Sequence, residues 1–416
     1  MSETGPVLSR HMGQEVETAL ADTRVVLIHG SRQVGKSTLA AMVIAGRPGA
    51  VSVTLDDAPT LAAASTDPVS FVQRTAATML IDEVQRVPGL LLAIKAEVDR
   101  DQRPGRFLLT GSAQVLALPK VTDALAGRVE PIELWPFSQG ELRGRRDDFV
   151  ATLFNRVPAA YQSALRKADY LEIAATGGYP EITRRPSPAR RRRWFDSYLQ
   201  TLAQRDIRDI ADLERLSEIP RLLRMIAARS ANVVNVEALA RESGMSGPTF
   251  RRYLNLLELT FLVQRVPAWS NNRTSRAIHA PKAYVSDSGL LTHLLGANAT
   301  SLGEPGGAAG PVLETFVAME LRRQLGWSEQ PASLHHFRTK DGVEVDSVLE
   351  TPDGRVAGVE VKAGATVTAR DFKGLRIVRD LLGPQFAAGV VLYCGTQTLP
   401  FGERLWAVPM AALWEA

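Results

Sequence analysis

The sequence predicts an α/β protein with a parallel-sheet domain at its N-terminal end, a helical and helix-turn-helix middle, and a second, smaller α/β domain at its C-terminal end. Three observations carry this expectation. Across residues 24–134, short β-branched or leucine-rich runs alternate with helical stretches, the pattern of a parallel sheet covered by helices on both faces. Between residues 149 and 229 the periodicity is mostly helical, broken by the turn Gly177-Gly178-Tyr179-Pro180. After a stretch dense in Gly, Ala and Pro, residues 303–311, mixed α and β patterns return. The expected boundaries are 1–148 for the parallel-sheet domain, 149–230 for the helices, 231–296 for the helix-turn-helix with a hairpin, 297–311 for a linker and 312–416 for the last domain.

Composition narrows the class before any motif is read. Of 416 residues, 45% are hydrophobic and 23% charged, which excludes disorder or fibrous repeats as the main state. No apolar run approaches the roughly 18 residues needed to cross a bilayer, and Met1-Ser2-Glu3-Thr4 does not open a signal peptide, so a cytoplasmic protein without a membrane partner is expected. The single cysteine, Cys394, follows an apolar run and reads as a buried small hydrophobe. The net charge of +4 is too small to prove a polyanionic partner. Of the 49 cations only 8 are lysines. A lysine is therefore an uncommon choice here, and two of them, Lys36 and Lys362, fall in motifs whose chemistry asks for an amine.

The candidate parallel strands are residues 25–28, 51–55, 79–81, 107–109 and 129–134. Gly30-Ser31-Arg32-Gln33-Val34-Gly35-Lys36-Ser37, followed by Thr38, lies between the first strand and an apolar helix and matches the Walker A pattern. Gly30 and Gly35 permit the backbone angles that turn N–H groups inward, and the helix N-terminus adds partial positive charge. Lys36 reaches the β and γ phosphates, and Ser37 offers a hydroxyl to Mg²⁺. ATP and Mg²⁺ are the expected cofactors. Met79-Leu80-Ile81-Asp82-Glu83 is an apolar strand ending in two carboxylates; Asp82 is placed to hold Mg²⁺ and Glu83 to act as general base. The next strand delivers Thr110 and Ser112 to the same edge, as sensors of the γ phosphate or as plain strand-end hydroxyls. Arg128, ahead of the fifth strand, is read as an arginine finger acting on a neighbouring subunit or as a solvated surface arginine.

These residues resemble those of bacterial ATPases of the AAA superfamily that carry a C-terminal region catalogued as domain of unknown function 4143. The resemblance rests on residues 30–38, 80–85, 108–112, 125–136, 177–181, 205–207 (Arg205-Asp206-Ile207) and 344–362, and so spans nearly the whole chain. It implies a RecA-like AAA core that binds ATP. The Walker motifs are specific for nucleotide binding, the later ones for the family alone, and the biological role of such proteins is generally unassigned. Ser31 stands where many relatives have proline, which leaves the phosphate-binding residues untouched.

Residues 236–243 read as a helix, Gly244 as a turn, and Ser246 as the N-cap of a second helix with Pro248 in its first turn. Phe250, Leu254, Leu257 and Phe261 share the core face of that helix. Arg251, Arg252 and Asn255 then project outward as candidate DNA contacts. A wing follows from residues 262–266 and 283–285 around a polar loop at 270–275. A winged helix also serves as a packing or oligomerisation module, and both readings stand. Arg184, Arg185 and the run from Arg190 to Arg193 lie beside Trp194, Phe195 and Tyr198. That mixture suits single-stranded nucleic acid, or is a solvated helix face.

The C-terminal strands, residues 344–349 and 356–362, flank Pro352-Asp353-Gly354. A three-residue loop with Gly354 left-handed pairs Thr351 with Arg355 and sets Asp346 opposite Glu360, with Lys362 on the same face. Opposed carboxylates repel, and a Mg²⁺ site gives them a reason. Asp346 followed by Glu360-x-Lys362 is similar to the restriction-endonuclease fold, in which the acids hold metal and the lysine helps activate water. The preceding helix adds Glu314. An active nuclease and a metal-free, nuclease-like binding fold are both compatible with this pattern. The six histidines, His335 and His336 included, show no zinc spacing, and no Gly-x-Ser-x-Gly elbow occurs.

The functional expectation is a Mg²⁺-dependent ATPase of homo-oligomeric form working on or near DNA or RNA. The alternative is a nucleotide-switched interaction module whose C-terminal fold binds a partner without cleaving it.

Overall fold

In a computed structural model of the chain, residues 8–75, 77–111, 125, 127–155, 157, 160–202, 218–271 and 280–415 are described. They form two compact units, Met1–Trp135 with Leu259–Phe261, and Pro136–Glu258 with Leu262–Ala416.

The first unit runs α1 (Met12–Asp22), β1 (Val25–His29), α2 (Lys36–Ala45), β2 (Val51–Thr54), α3 (Ala58–Thr66), α4 (Pro68–Val72), β3 (Met79–Asp82), α5 (Gly89–Arg100), β4 (Phe107–Gly111) and β5 (Val129–Glu133). Its five strands lie in the order β2-β3-β4-β1-β5, and every pairing is parallel. β1 and β4 are buried along their whole length. That is why both read as unbroken apolar runs rather than alternating ones. Phe107, Leu109, Ile81 and Val25 pack with Leu90, Ile94 and Val98 of α5 in one core. A parallel sheet places all its strand ends alike, so β1, β3 and β4 deliver their last residues and the loops after them to one carboxyl edge, the usual ligand crevice of such sheets.

The second unit begins earlier than expected, at Pro136 rather than at residue 149. The segment after β5 is tied into it by polar contacts. The Phe137 N–H donates to Gly178 O at 2.8 Å, the Gln139 N–H to Glu320 at 3.0 Å, and the Trp327 indole to Asp147 O at 2.7 Å. Helices Phe149–Asn155, Lys167–Thr176, Pro188–Thr201 and Ile219–Ala227 lead to β6 (Asn232–Val233) and to the helix pair Val236–Ser243 and Gly247–Leu259. The pair is joined by left-handed Gly244 and capped by Ser246, whose Oγ accepts from the Thr249 N–H. β7 (Val263–Val266) and β8 (Lys282–Val285) follow and form an antiparallel sheet of order β6-β8-β7.

The stretch expected to be a linker is folded at both ends. Asn298 caps the short helix Ala299–Gly303, and a new helix, Ala309–Gln324, begins at once. Pro311 lies in its first turn, where a missing N–H costs no hydrogen bond. Beyond it β9 (Ser333–Arg338), β10 (Glu344–Glu350), β11 (Val356–Lys362), β12 (Phe386–Tyr393), β13 (Leu399–Gly402) and β14 (Leu405–Pro409) make a mixed sheet of order β13-β14-β12-β11-β10-β9. Helix Lys373–Leu382 packs on it through Leu375 and Val378. Cys394 is buried and free, and burial pushes its thiol up to about 12. Among the described residues no helix is long and apolar enough to cross a membrane.

Candidate nucleotide site and C-terminal acid cluster

β1 ends at His29 and the chain turns at once into the residues of the Walker A pattern. A Cβ on Gly30 would lie 2.1 Å from Leu134 O, so only glycine lets the loop pass β5 this closely. Gly35 sits at φ 96° and Gln33 at φ 62°, alternating the backbone in the way that turns N–H groups toward one centre. Ser31 and Val34 are buried supports of the loop, Arg32 is half-buried, and Ser37 and Thr38 are exposed at the start of α2. Lys36 is 6% exposed, and its ammonium donates to Gly30 O at 3.0 Å and Ser31 O at 2.7 Å. The loop is also braced by Arg10, whose guanidinium donates to Val34 O at 2.8 Å and Trp135 O at 2.6 Å. Sequence reasoning missed Arg10, because nothing local marks an arginine ahead of α1.

Asp82, at the carboxyl end of β3, is the hub of the edge. Ser37 Oγ donates to Asp82 Oδ1 at 2.7 Å, and Thr110 Oγ1, at the end of β4, donates to the same oxygen. Thr110 also accepts the Glu83 N–H at 3.1 Å. Thr54 of β2 reaches the other carboxylate oxygen at 3.4 Å. Glu83 is held at φ 59°, and its carboxylate accepts from the Gln85 amide. Burial raises the Glu83 pKa, and the nearby Lys36 charge opposes that shift. Ser37 and Asp82 thus fit a Mg²⁺ ion, an oxygen pair of the kind this hard cation takes. Ser112 lies outside the described residues, as do Arg205, Asp206 and Ile207.

Thr110 touches both carboxylate residues of the edge through one hydroxyl. Thr110→Val keeps the volume and removes both bonds, and is expected to lower turnover about 10–100-fold, the usual cost of losing such a supporting contact. Steady-state hydrolysis checks this, with an unchanged rate excluding the positioning role.

Arg128 does not lie at this edge. Its neighbour Val129 pairs with Val25, the first residue of β1, so Arg128 sits at the opposite end of the sheet from the phosphate loop. There its Nε and terminal nitrogen contact Asp99 at 2.5 and 3.0 Å. The pairing lowers the Asp99 pKa. Within its own chain Arg128 therefore does not reach the phosphate loop. Arg128→Ala is expected to leave hydrolysis within about two-fold of wild type, as an exposed ion pair contributes little. A large loss that reappears as activity on mixing with Lys36→Ala subunits would restore the finger.

In the second unit the counted register is the one observed. The Thr351 N–H donates to Arg355 O at 3.0 Å, Gly354 has φ 87°, and the ladder runs to Ser347 opposite Val359. Asp346 and Glu360, the residues one step beyond that last pair, are both buried. Among the described residues no group of three or more His, Cys, Asp and Glu is arranged to hold a metal ion. Lys282 of β8, wholly buried, donates to Glu314 Oε1 at 2.8 Å and Asp346 Oδ1 at 3.2 Å. Lys362 donates to Glu360 at 2.8 Å. Burial, and next the Asp346 charge, push Glu314 and Glu360 each up to about 8. The lysine was invisible to motif reading because it belongs to a different sheet.

On the helix-turn-helix, Phe250, Leu254 and Leu257 are buried and Arg251, Arg252 and Asn255 exposed, as the spacing predicts, whereas Phe261, though buried, lies beyond the end of the helix at φ 58° rather than on its face. Arg251 is ion-paired with Glu237, and Asn255 accepts from Arg265 at 3.0 Å. Residues 272–275 of the expected wing loop lie outside the described residues. In the basic stretch Arg185 pairs with Glu181 and Arg191 with Glu172, while Arg184, Arg190, Arg192 and Arg193 are exposed. Phe195 and Tyr198 face inward, and Tyr198 meets Tyr179 through their hydroxyls at 3.1 Å. These two aromatics are core rather than a platform for bases.

Residues 22–143 match the family described as AAA domain, residues 167–301 a domain of unknown function (DUF8612), and residues 309–413 a domain of unknown function (DUF4143). Uncharacterized proteins of Mycobacterium tuberculosis and Mycobacterium bovis are each 28% identical over 401 residues, which is 96% of this chain and 83% of theirs. A Walker-type ATPase of Pyrococcus abyssi is 15% identical with a TM-score of 0.41, covering 69% of this chain and 96% of its own. A signal transduction ATPase with numerous domains and a tetratricopeptide repeat sensor, from Pyrococcus horikoshii, is 13% identical with a TM-score of 0.27, covering 76% and 46%. The chain thus carries an AAA domain at residues 22–143 and a DUF4143 domain at residues 309–413, the combination found in AAA-superfamily proteins of the DUF4143-bearing kind.

Proposed function

We propose that the chain is a Mg²⁺-dependent ATPase that uses nucleotide binding and hydrolysis to switch an assembly, its C-terminal domain binding a partner without cleaving nucleic acid. The observation that carries the ATPase is the convergence of Ser37, Thr110 and the Glu83 N–H on the Asp82 carboxylate and its partner hydroxyl, beside Lys36. Residues 30–38 cradle the phosphates through their N–H groups, and Lys36 exchanges its carbonyl partners for the β and γ oxygens. Ser37 and Asp82 hold Mg²⁺, which when bound neutralises charge developing on the transferred phosphoryl group. Glu83 accepts the proton of the attacking water, and Thr110 keeps Asp82 and Glu83 in register.

The binding role of the second unit rests on its acids being engaged by lysines and on the ion pairing of Arg251 within its own helix pair. A second reading, in which DNA or RNA is the partner, is favoured by the helix pair beside the β6-β8-β7 sheet, which we read as a winged helix, with Arg251, Arg252 and Asn255 exposed. Hydrolysis measured with and without single- and double-stranded DNA and RNA separates them. Rates within two-fold support the protein-partner reading. A rise of about ten-fold or more that falls with salt establishes the nucleic-acid one. We also propose a homo-oligomer assembled on ATP: Glu83→Gln should sediment as a larger species with ATP than without it, and an unchanged coefficient argues for a monomer.

A further inference from the structure

We propose that Lys282 is a tethered cation standing where a divalent metal would sit beside Glu314 and Asp346, so that strand β8 itself keeps the C-terminal domain metal-free. The inference deepens the non-cleaving reading of that domain and is independent of the ATPase site.

The arrangement is built around the ammonium. Lys282 has no exposed side-chain surface, and its Nζ lies 2.8 Å from Glu314 Oε1, 3.2 Å from Asp346 Oδ1 and 3.9 Å from Glu344 Oε2. Tyr284, two residues on and therefore on the same face of β8, donates to Glu314 Oε1 at 3.0 Å. The other Asp346 oxygen takes the Val361 N–H at 2.9 Å. Glu360 Oε1 takes Lys362, while Glu360 Oε2 is buried with no partner. In a chain with only 8 lysines among 49 cations, an amine here is a specific choice. A compact ammonium offers three donors at one point, which suits carboxylates that converge on a single position. Mg²⁺ needs oxygens at about 2.0–2.1 Å, so it cannot share Glu314 and Asp346 with an ammonium that already touches both. β8 is paired on both sides, with β6 and β7, which fixes the backbone from which the ammonium reaches the acids. Removing it leaves carboxylates buried without a counter-charge, an environment that a divalent cation would relieve.

The test uses the full chain carrying Ser37→Ala and Asp82→Asn, without nucleotide, so that the N-terminal site does not report metal. Thermal unfolding is followed against MnCl₂ or MgCl₂. With Lys282 present, metal should not raise Tm. Adding Lys282→Met should lower Tm in the absence of metal and create a metal-dependent rise that follows occupancy of the site. Asp346→Asn in addition should abolish that rise. Should Lys282→Met fail to fold, Lys282→Met with Glu314→Gln, which removes a charge of each sign, should recover a folded protein indifferent to metal. A metal-dependent rise in the Lys282 protein that Asp346→Asn removes overturns the proposal. So does a Lys282→Met protein of unchanged Tm, or one destabilised yet indifferent to metal. A charge-balanced double variant no more stable than Lys282→Met alone overturns it as well. None of these results bears on ATP hydrolysis at Glu83, which is measured separately.

Discussion

Glu83→Gln should bind ATP as the wild-type chain does and hydrolyse it about 10²–10⁴-fold more slowly, while Lys36→Ala should lose binding itself. The two residues share an edge of the sheet but not a task. In the proposed mechanism Lys36 supplies a charge that the phosphates meet on entering, and its ammonium is already directed into the loop by Gly30 O and Ser31 O. Glu83 contributes only when water attacks. It comes directly after Asp82 at a left-handed φ of 59°, which turns it away from the line of β3, and its N–H is fastened to Thr110. Glutamine keeps the size and the backbone and removes the basic carboxylate. The same assignment makes a pH prediction. The base acts ionised, and burial raises its pKa, so kcat/KM should fall with acidity through a midpoint above the ordinary carboxylate range, and Glu83→Gln should lack that limb. Calorimetry for binding and phosphate release for turnover check both parts. Equal nucleotide affinity for wild type and Lys36→Ala would sink the site.

Asp287→Ala should destabilise the second unit by about 3–5 kcal/mol, as expected for removing one partner of a buried ionic network. Asp287 has no exposed surface, and its carboxylate serves three elements at once. One oxygen caps helix Ser288–Leu294 by accepting the Leu290 N–H at 3.0 Å. The other accepts the Gly178 N–H at 2.8 Å and faces Arg323 at 3.4 Å. Alanine leaves a buried guanidinium with Glu320 alone and an amide without its acceptor. Asp287→Asn retains an acceptor for the cap and should cost less. Urea unfolding measures the difference, and a loss below about 1 kcal/mol for Asp287→Ala would show that the network contributes little.

The geometry of the candidate nucleotide site was legible because its determinants are local. The turn of residues 30–37, the strand that precedes it and the helix after it are contiguous, and the two carboxylates of β3 announce themselves by ending an apolar run. The same holds for the hairpin: a left-handed Gly354 in a three-residue loop dictates the pairing of β10 with β11, so Asp346 could be set opposite Glu360 by counting. Arg128 shows where such counting stops, since its position before β5 was legible but not its pairing with Asp99, 29 positions away. Asp287 and the Gly177-Gly178 turn are 109 positions apart at their contact, Lys282 and Asp346 are 64 apart, and Arg10 reaches Trp135 across 125. Turn chemistry and periodicity act over a few residues and therefore settle strands, caps and register. The partner of a buried charge is chosen by packing, because desolvation forces the nearest opposite charge in space to compensate it, wherever in the chain that charge lies. The phosphate loop was thus determined by the sequence alone, while the occupation of the C-terminal acids by Lys282 was decided only when β8 was laid beside them.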